Sequence, residues 1–149
     1  EANLENCRAS SKFPPKEDSS RINRLFSRKE IMNFKPVIKW SGSKRSQAST
    51  IVSLAPDSYR TYFEPFIGGG SILYALNPPA AICGDICSPL IDLWKVIQSA
   101  PDSLIDQYRK DWLRLQEEGH PVFYEIRDHF NKTQDPRSLF FFLELASTD

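Results

Sequence analysis

A chain of 149 residues with 40% hydrophobic and 12% aromatic content is long enough for a folded core, which excludes a wholly disordered chain. No apolar run approaches the ~20 residues that span a bilayer and no secretory h-region opens the chain, so membrane partners are excluded and a cytoplasmic setting is expected. Net charge is zero, yet residues 1–50 carry 11 Lys+Arg against 5 Asp+Glu and residues 51–149 carry 8 against 14, so the bulk lacks the basic surface of a free-standing nucleic-acid binder.

Residues 1–33 are polar, rich in Ser, Arg and Lys, and contain Pro14-Pro15, which reads as an extension or linker. Ser20 is placed to cap a short helix with Ile22, Leu25 and Phe26 on one face. Beyond it, helix is expected over 44–54, stopping before Pro56, then strand over 61–66 and a short helix over 71–76 that breaks at Asn77-Pro78-Pro79. A second strand is expected over 81–85. Ser88 then caps a helix with Pro89 at its first position and Leu90, Ile91, Leu93, Trp94 and Ile97 at helical spacing. Three further helices are expected over 101–118, 121–130 and 136–145. Alternating strand and helix opens a doubly wound α/β sheet, although two strands alone make a poor core. Cys7, Cys83 and Cys87 are too few and too oddly spaced for a disulfide framework or a zinc site, so no metal is expected.

The most informative stretch is Tyr62-Phe63-Glu64-Pro65-Phe66-Ile67-Gly68-Gly69-Gly70-Ser71, a strand running into a glycine turn and then a helix. Glycines there let a ligand approach the backbone closely, as nucleotide cradles require. Asp85 closes the second strand 15 residues after Gly70, where an acid can accept both hydroxyls of a ribose. A nicotinamide cofactor would also suit an acid at that distance, but the turn reads G-G-G-S after Glu-Pro-Phe and not G-x-G-x-x-G. Taken singly, each residue has a plain structural reading: Trp40 a half-buried aromatic, Lys44 a solvated lysine, Asp85 an N-cap, Phe66 a core side chain. His120 and His129 read as structural or surface histidines, and Glu117-Glu118 as a solvated helix face.

Lys39-Trp40-Ser41-Gly42-Ser43-Lys44, the glycine turn, and Ala81-Ile82-Cys83-Gly84-Asp85-Ile86 follow one another in the order K-W-x-G-x-K, E-P-F-x-G-x-G-S and D-I. With these, the chain resembles the Dam family of DNA adenine-N6 methyltransferases from about Phe34 onward. The stretch 123–131 and Asp135-Pro136 resemble weaker landmarks of the same family. The resemblance implies a Rossmann-like S-adenosylmethionine-dependent methyltransferase fold, here truncated before the catalytic strands, with residues 34–149 as the N-terminal part of the domain. It also implies that Met32 stands near the true start, with an upstream extension before it.

What the resemblance implies for the site is a division of labour over S-adenosylmethionine. Asp85 takes the ribose hydroxyls and Ile86 covers one face of the adenine. Glu64 holds the amino group of the methionine tail, and Phe66, Gly68 and Gly70 form the floor. Trp40 packs on the cofactor, Lys44 meets the tail carboxylate, and Gly42 lets that loop come close. Enzymes of this kind carry D-P-P-Y, whose acid and carbonyl hold the exocyclic amine of a flipped-out base while the ring stacks on it. These 149 residues contain none; Asn77-Pro78-Pro79-Ala80 lacks the aromatic and precedes the second strand. The expected activity, methylation of adenine in double-stranded DNA, therefore belongs to a longer enzyme or a partner chain bearing the catalytic half, with this chain inactive alone. An inactive remnant or a split-enzyme binding module is the alternative.

Overall fold

The structure is a computed structural model that describes residues 37–146, in two compact units, one ending at Asp85 and the other starting at Ile86. The extension over 1–33, the short helix after Ser20 and the start at Met32 lie outside the described residues.

In the first unit the chain turns tightly: the Trp40 N–H donates to the Ile38 carbonyl (3.1 Å) and the Ser43 N–H to the Trp40 carbonyl (3.3 Å). The helix expected over 44–54 divides into a 3₁₀ turn, Arg45–Gln47, and a helix α1, Ala48–Ser53. Residues 45–47 are all exposed, so no packing face selects the α-helical spacing until Ala48, which is 2% exposed. Strand β1 (Tyr62–Glu64), helix α2 (Ser71–Leu76) and strand β2 (Ala81–Cys83) follow. The two strands pair in parallel, Tyr62 opposite Ala81 and Glu64 opposite Cys83. Both are shorter than the expected 61–66 and 81–85. Pro65 has no N–H to give, so the regular ladder stops at Glu64, and two further bonds extend the pairing: Gly84 N–H to the Glu64 carbonyl (2.8 Å) and Ile67 N–H to the Gly84 carbonyl (2.9 Å).

Helix α2 packs on α1 through Ala48, Ile72 and Leu76, with Tyr59 and Tyr62 at the edge of that cluster. Tyr62 thus faces inward. Its neighbour Phe63 (65% exposed) and the register partner Ile82 (45%) lie outward, so one face of this small parallel sheet is open among the described residues. Asn77 adopts φ +44° and closes α2 with its N–H on the Leu73 carbonyl, and Pro78-Pro79 forbid continuation.

The second unit is helical: α3 (Ser88–Ser99), α4 (Pro101–Glu118), α5 (His120–Thr133) and α6 (Pro136–Leu145). Each has a proline in its first turn, where the missing N–H costs nothing. Ser88 is not the cap of α3. The Cys87 carbonyl accepts from both Leu90 N–H (3.1 Å) and Ile91 N–H (3.2 Å), which makes Cys87 the N-cap and Ser88 the first helical residue. Helix α5 runs to Thr133 and not 130, because Gln134, at φ +57°, supplies the left-handed stop. Asp135 caps α6, its Oδ2 accepting from Ser138 N–H at 3.2 Å. Val122, Ile126 and Phe141 form the core of this unit, flanked by Tyr108, Leu115, Phe142 and Leu145. Arg127, one of the weaker landmarks, stacks its guanidinium 4.9 Å over the Tyr124 ring and pairs with Asp128 at 3.0 Å. His120, His129, Glu117 and Glu118 are all exposed. No described helix is long and apolar enough to cross a membrane, and among the described residues no group of three His, Cys, Asp or Glu side chains is placed to hold a metal ion.

Candidate functional site

The connection from β1 to α2 is a tight turn closed by Gly70 N–H on the Ile67 carbonyl at 2.7 Å. It needs left-handed backbone at Gly68 (φ +48°) and Gly70 (φ +69°), which only glycine adopts without strain. Gly69 is required for a different reason. A Cβ there would lie 2.7 Å from the Ile38 carbonyl oxygen and 3.4 Å from the Trp40 Cβ, so the preceding loop rests directly on the turn. The Trp40 indole lies over Gly68 as well, its Cδ1 3.1 Å from where a side chain would begin.

Across the turn, Asp85 Oδ2 accepts from the Gly68 N–H at 3.0 Å. The bond ties the end of β2 to the glycine turn. A carboxylate offers about four acceptor positions, and this bond takes one of them. Trp40, Gly42, Lys44, Glu64, Phe66, Gly68 and Asp85 all line one open cleft of about 210 Å³. That is below the ~300 Å³ typical of small-molecule pockets. Gly70 is not on the lining; it is the N-cap of α2. Ile86 begins the second unit and is 97% exposed. A Cβ at Gly42 would meet no protein atom within 4 Å, and what calls for glycine there is φ +77°.

Sequence reasoning passed over Ser41, Ser43, Ile67, Gly69, Ser71 and Ile72, which also line the cleft. The run of three glycines signalled Gly69. Nothing in the pattern signalled that Ser43 and Ser71, 28 residues apart, bring their hydroxyl oxygens to 2.6 Å.

Glu64 sits under this surface. Burial holds its carboxyl above the usual carboxylate range, outweighing the hydrogen bonds it accepts from the Tyr62 hydroxyl and the Leu73 N–H. Burial, and then the neighbouring Glu64 charge, also push the Tyr62 hydroxyl above its ordinary range. One Glu64 oxygen, Oε2, is buried with no hydrogen-bond partner among the described residues. A carboxyl that binds its proton more tightly folded than unfolded stabilises the fold fully below its unfolded pKa, and that contribution is lost as pH rises through the folded pKa. The urea midpoint of the chain should therefore fall from about pH 4.5 upward by more than that of Glu64→Gln, which has no proton to lose. Parallel pH profiles for the two proteins would refute the raised affinity.

Residues 40–148 match the family model of D12 class N6 adenine-specific DNA methyltransferases. Among curated proteins, the chain is 38% identical over 78 residues to the type II methyltransferase M1.LlaDCHI of Lactococcus lactis subsp. cremoris, covering 52% of this chain and 28% of that protein. It is 34% identical over 117 residues to the type II methyltransferase M.MjaIII of Methanocaldococcus jannaschii, covering 70% and 40%. It is 31% identical over 99 residues to the DNA adenine methylase of Escherichia coli, covering 66% and 35%. The matches with these three relatives span 28–40% of their lengths.

Proposed function

Since this chain belongs to the D12 class N6 adenine-specific DNA methyltransferase family, we propose that residues 34–149 are the N-terminal part of a Rossmann-like methyltransferase domain whose first unit binds S-adenosylmethionine for methylation of adenine in double-stranded DNA. The observation that carries this reading is the bond between the Asp85 carboxylate and the Gly68 N–H at 3.0 Å, with the Trp40 indole against the same glycine. An acid, a glycine turn and an aromatic ring converge on one cleft that also holds an ammonium at Lys44.

The residues suit the cofactor chemically. Asp85 would accept from the ribose hydroxyls, and Lys44 would hold the tail carboxylate. The orphaned Oε2 of Glu64 suits a cationic amino group, reached directly or through water. Phe66, 79% exposed on the lining of the cleft, would form the floor with Gly68 and Gly70, and Trp40 and Gly42 would shape the wall beside it. Bound S-adenosylmethionine supplies an electrophilic methyl group on a sulfonium. The chain's own residues would orient that methyl by fixing the two ends of the molecule, ribose and tail.

The 149 residues hold no D-P-P-Y, so the groups that hold a flipped-out adenine would come from sequence outside them, in the same or a partner chain. Most phosphate contacts would come from there or from the basic residues 1–50, since residues 51–149 carry an excess of acid. Two titrations of the purified chain test the reading. S-adenosylhomocysteine should bind with a Kd of about 0.1–1 mM, near −5 kcal/mol, NAD should give no heat at the same concentrations, and labelled methyl should not pass to DNA. Tighter binding of NAD would overturn the cofactor assignment, and methyl transfer by these residues alone would overturn the division of labour.

A further inference from the structure

Ser43 and Ser71 have no part in the cofactor contacts above, yet their hydroxyl oxygens lie 2.6 Å apart across 28 residues of chain. Ser71 is the first residue of α2 and is 6% exposed; Ser43 immediately precedes Lys44 in the upstream loop. Both line the cleft. Resting on the cofactor reading, we propose that this hydroxyl pair is a latch that fastens the Trp40–Lys44 loop to the start of α2 and so positions the Lys44 ammonium for the carboxylate of an amino-acid tail.

The need for a latch follows from the loop itself. Ser41, Gly42 and Lys44 are exposed, and Gly42 at φ +77° gives the backbone freedom. Exposed loops with few buried contacts are the first parts of a fold to open. Trp40 holds one end by apolar contact with Gly68 and Gly69, which sets a distance but not a direction. The bond between the two hydroxyls is directional, and it lies at the other end, one residue from Lys44. Breaking it strands the buried Ser71 hydroxyl without a partner, so the closed arrangement is favoured. Ser43 and Ser71 are thus positioning residues: they act through Lys44 and touch no reacting atom.

The test compares Ser43→Ala, Ser71→Ala, the double substitution and Ser43→Thr, using S-adenosylhomocysteine and 5′-methylthioadenosine, which lacks the amino-acid tail. Each single substitution should weaken S-adenosylhomocysteine about five- to tenfold, the double no more than either single, and Ser43→Thr by less than about twofold. Affinity for 5′-methylthioadenosine should stay within about twofold. Amide hydrogen exchange of residues 41–44 in the ligand-free chain should rise about tenfold in Ser71→Ala with exchange in α3–α6 unchanged, a readout that decides the latch even if the unsubstituted chain binds neither ligand. Equal losses for both ligands, additive losses in the double substitution, or unchanged exchange over 41–44 would overturn the latch.

Discussion

Asp85→Ala should lower affinity for S-adenosylhomocysteine by at least ~100-fold, beyond detection in a titration carried to millimolar ligand. Hydrogen bonds to a charged acceptor contribute about 1.5–3 kcal/mol each, and two ribose hydroxyls would lose their acceptor together. The same substitution removes the acceptor that Asp85 Oδ2 offers the Gly68 N–H at 3.0 Å. Asp85→Asn separates these effects. Its amide oxygen can still accept from Gly68 while the charge is gone, so the loss should be about tenfold with the thermal midpoint near that of the unsubstituted chain. If Asp85→Ala bound as tightly as the original, Asp85 would have only the structural task of anchoring the turn.

Gly69→Ala is the second large effect, and it arises from shape. The added methyl would lie 2.7 Å from a carbonyl oxygen of the Ile38 backbone, which has no rotamer to swing away. Either the loop carrying Trp40 and Lys44 lifts off the turn or the turn distorts; overpacking of this kind costs about 1–3 kcal/mol. Ligand affinity should fall by about 100-fold, because Trp40 and Lys44 move together with the loop. Gly42→Ala is the contrast. Nothing lies within 4 Å of its Cβ, and its cost is the strain of a left-handed alanine, about 1 kcal/mol. Equal calorimetric losses in the two variants would mean that the contact between the loop and the glycine turn is not what shapes the cleft.

The sequence carried most of the element order because its punctuation is strong. Pro89, Pro101, Pro121 and Pro136 open the four helices of the second unit, and Asn77-Pro78-Pro79 closes α2. Boundaries set by backbone bonding were less legible. Pro65 cuts β1 at Glu64, and the Cys87 carbonyl takes the capping place expected of Ser88. Seven of the nine candidate residues share one cleft because the three motifs meet at the glycine turn. Gly70 does not line it although its neighbours Gly69 and Ser71 do, because it is the N-cap of α2, and Ile86 belongs to the second unit. Tertiary contacts between small groups left no mark in the pattern. The Ser43 and Ser71 hydroxyls, and the Gly69 backbone against Ile38, are pairings that only the folded chain reveals.

Nitrogen-15 NMR of the chain with S-adenosylhomocysteine added to millimolar concentration tests the cofactor grip at the atoms concerned. The Gly68 amide and the Trp40 indole N–H should move together and saturate, and Asp85→Ala should abolish both shifts. Shifts confined to α3–α6, or equal shifts of the same two signals with NAD, would contradict it.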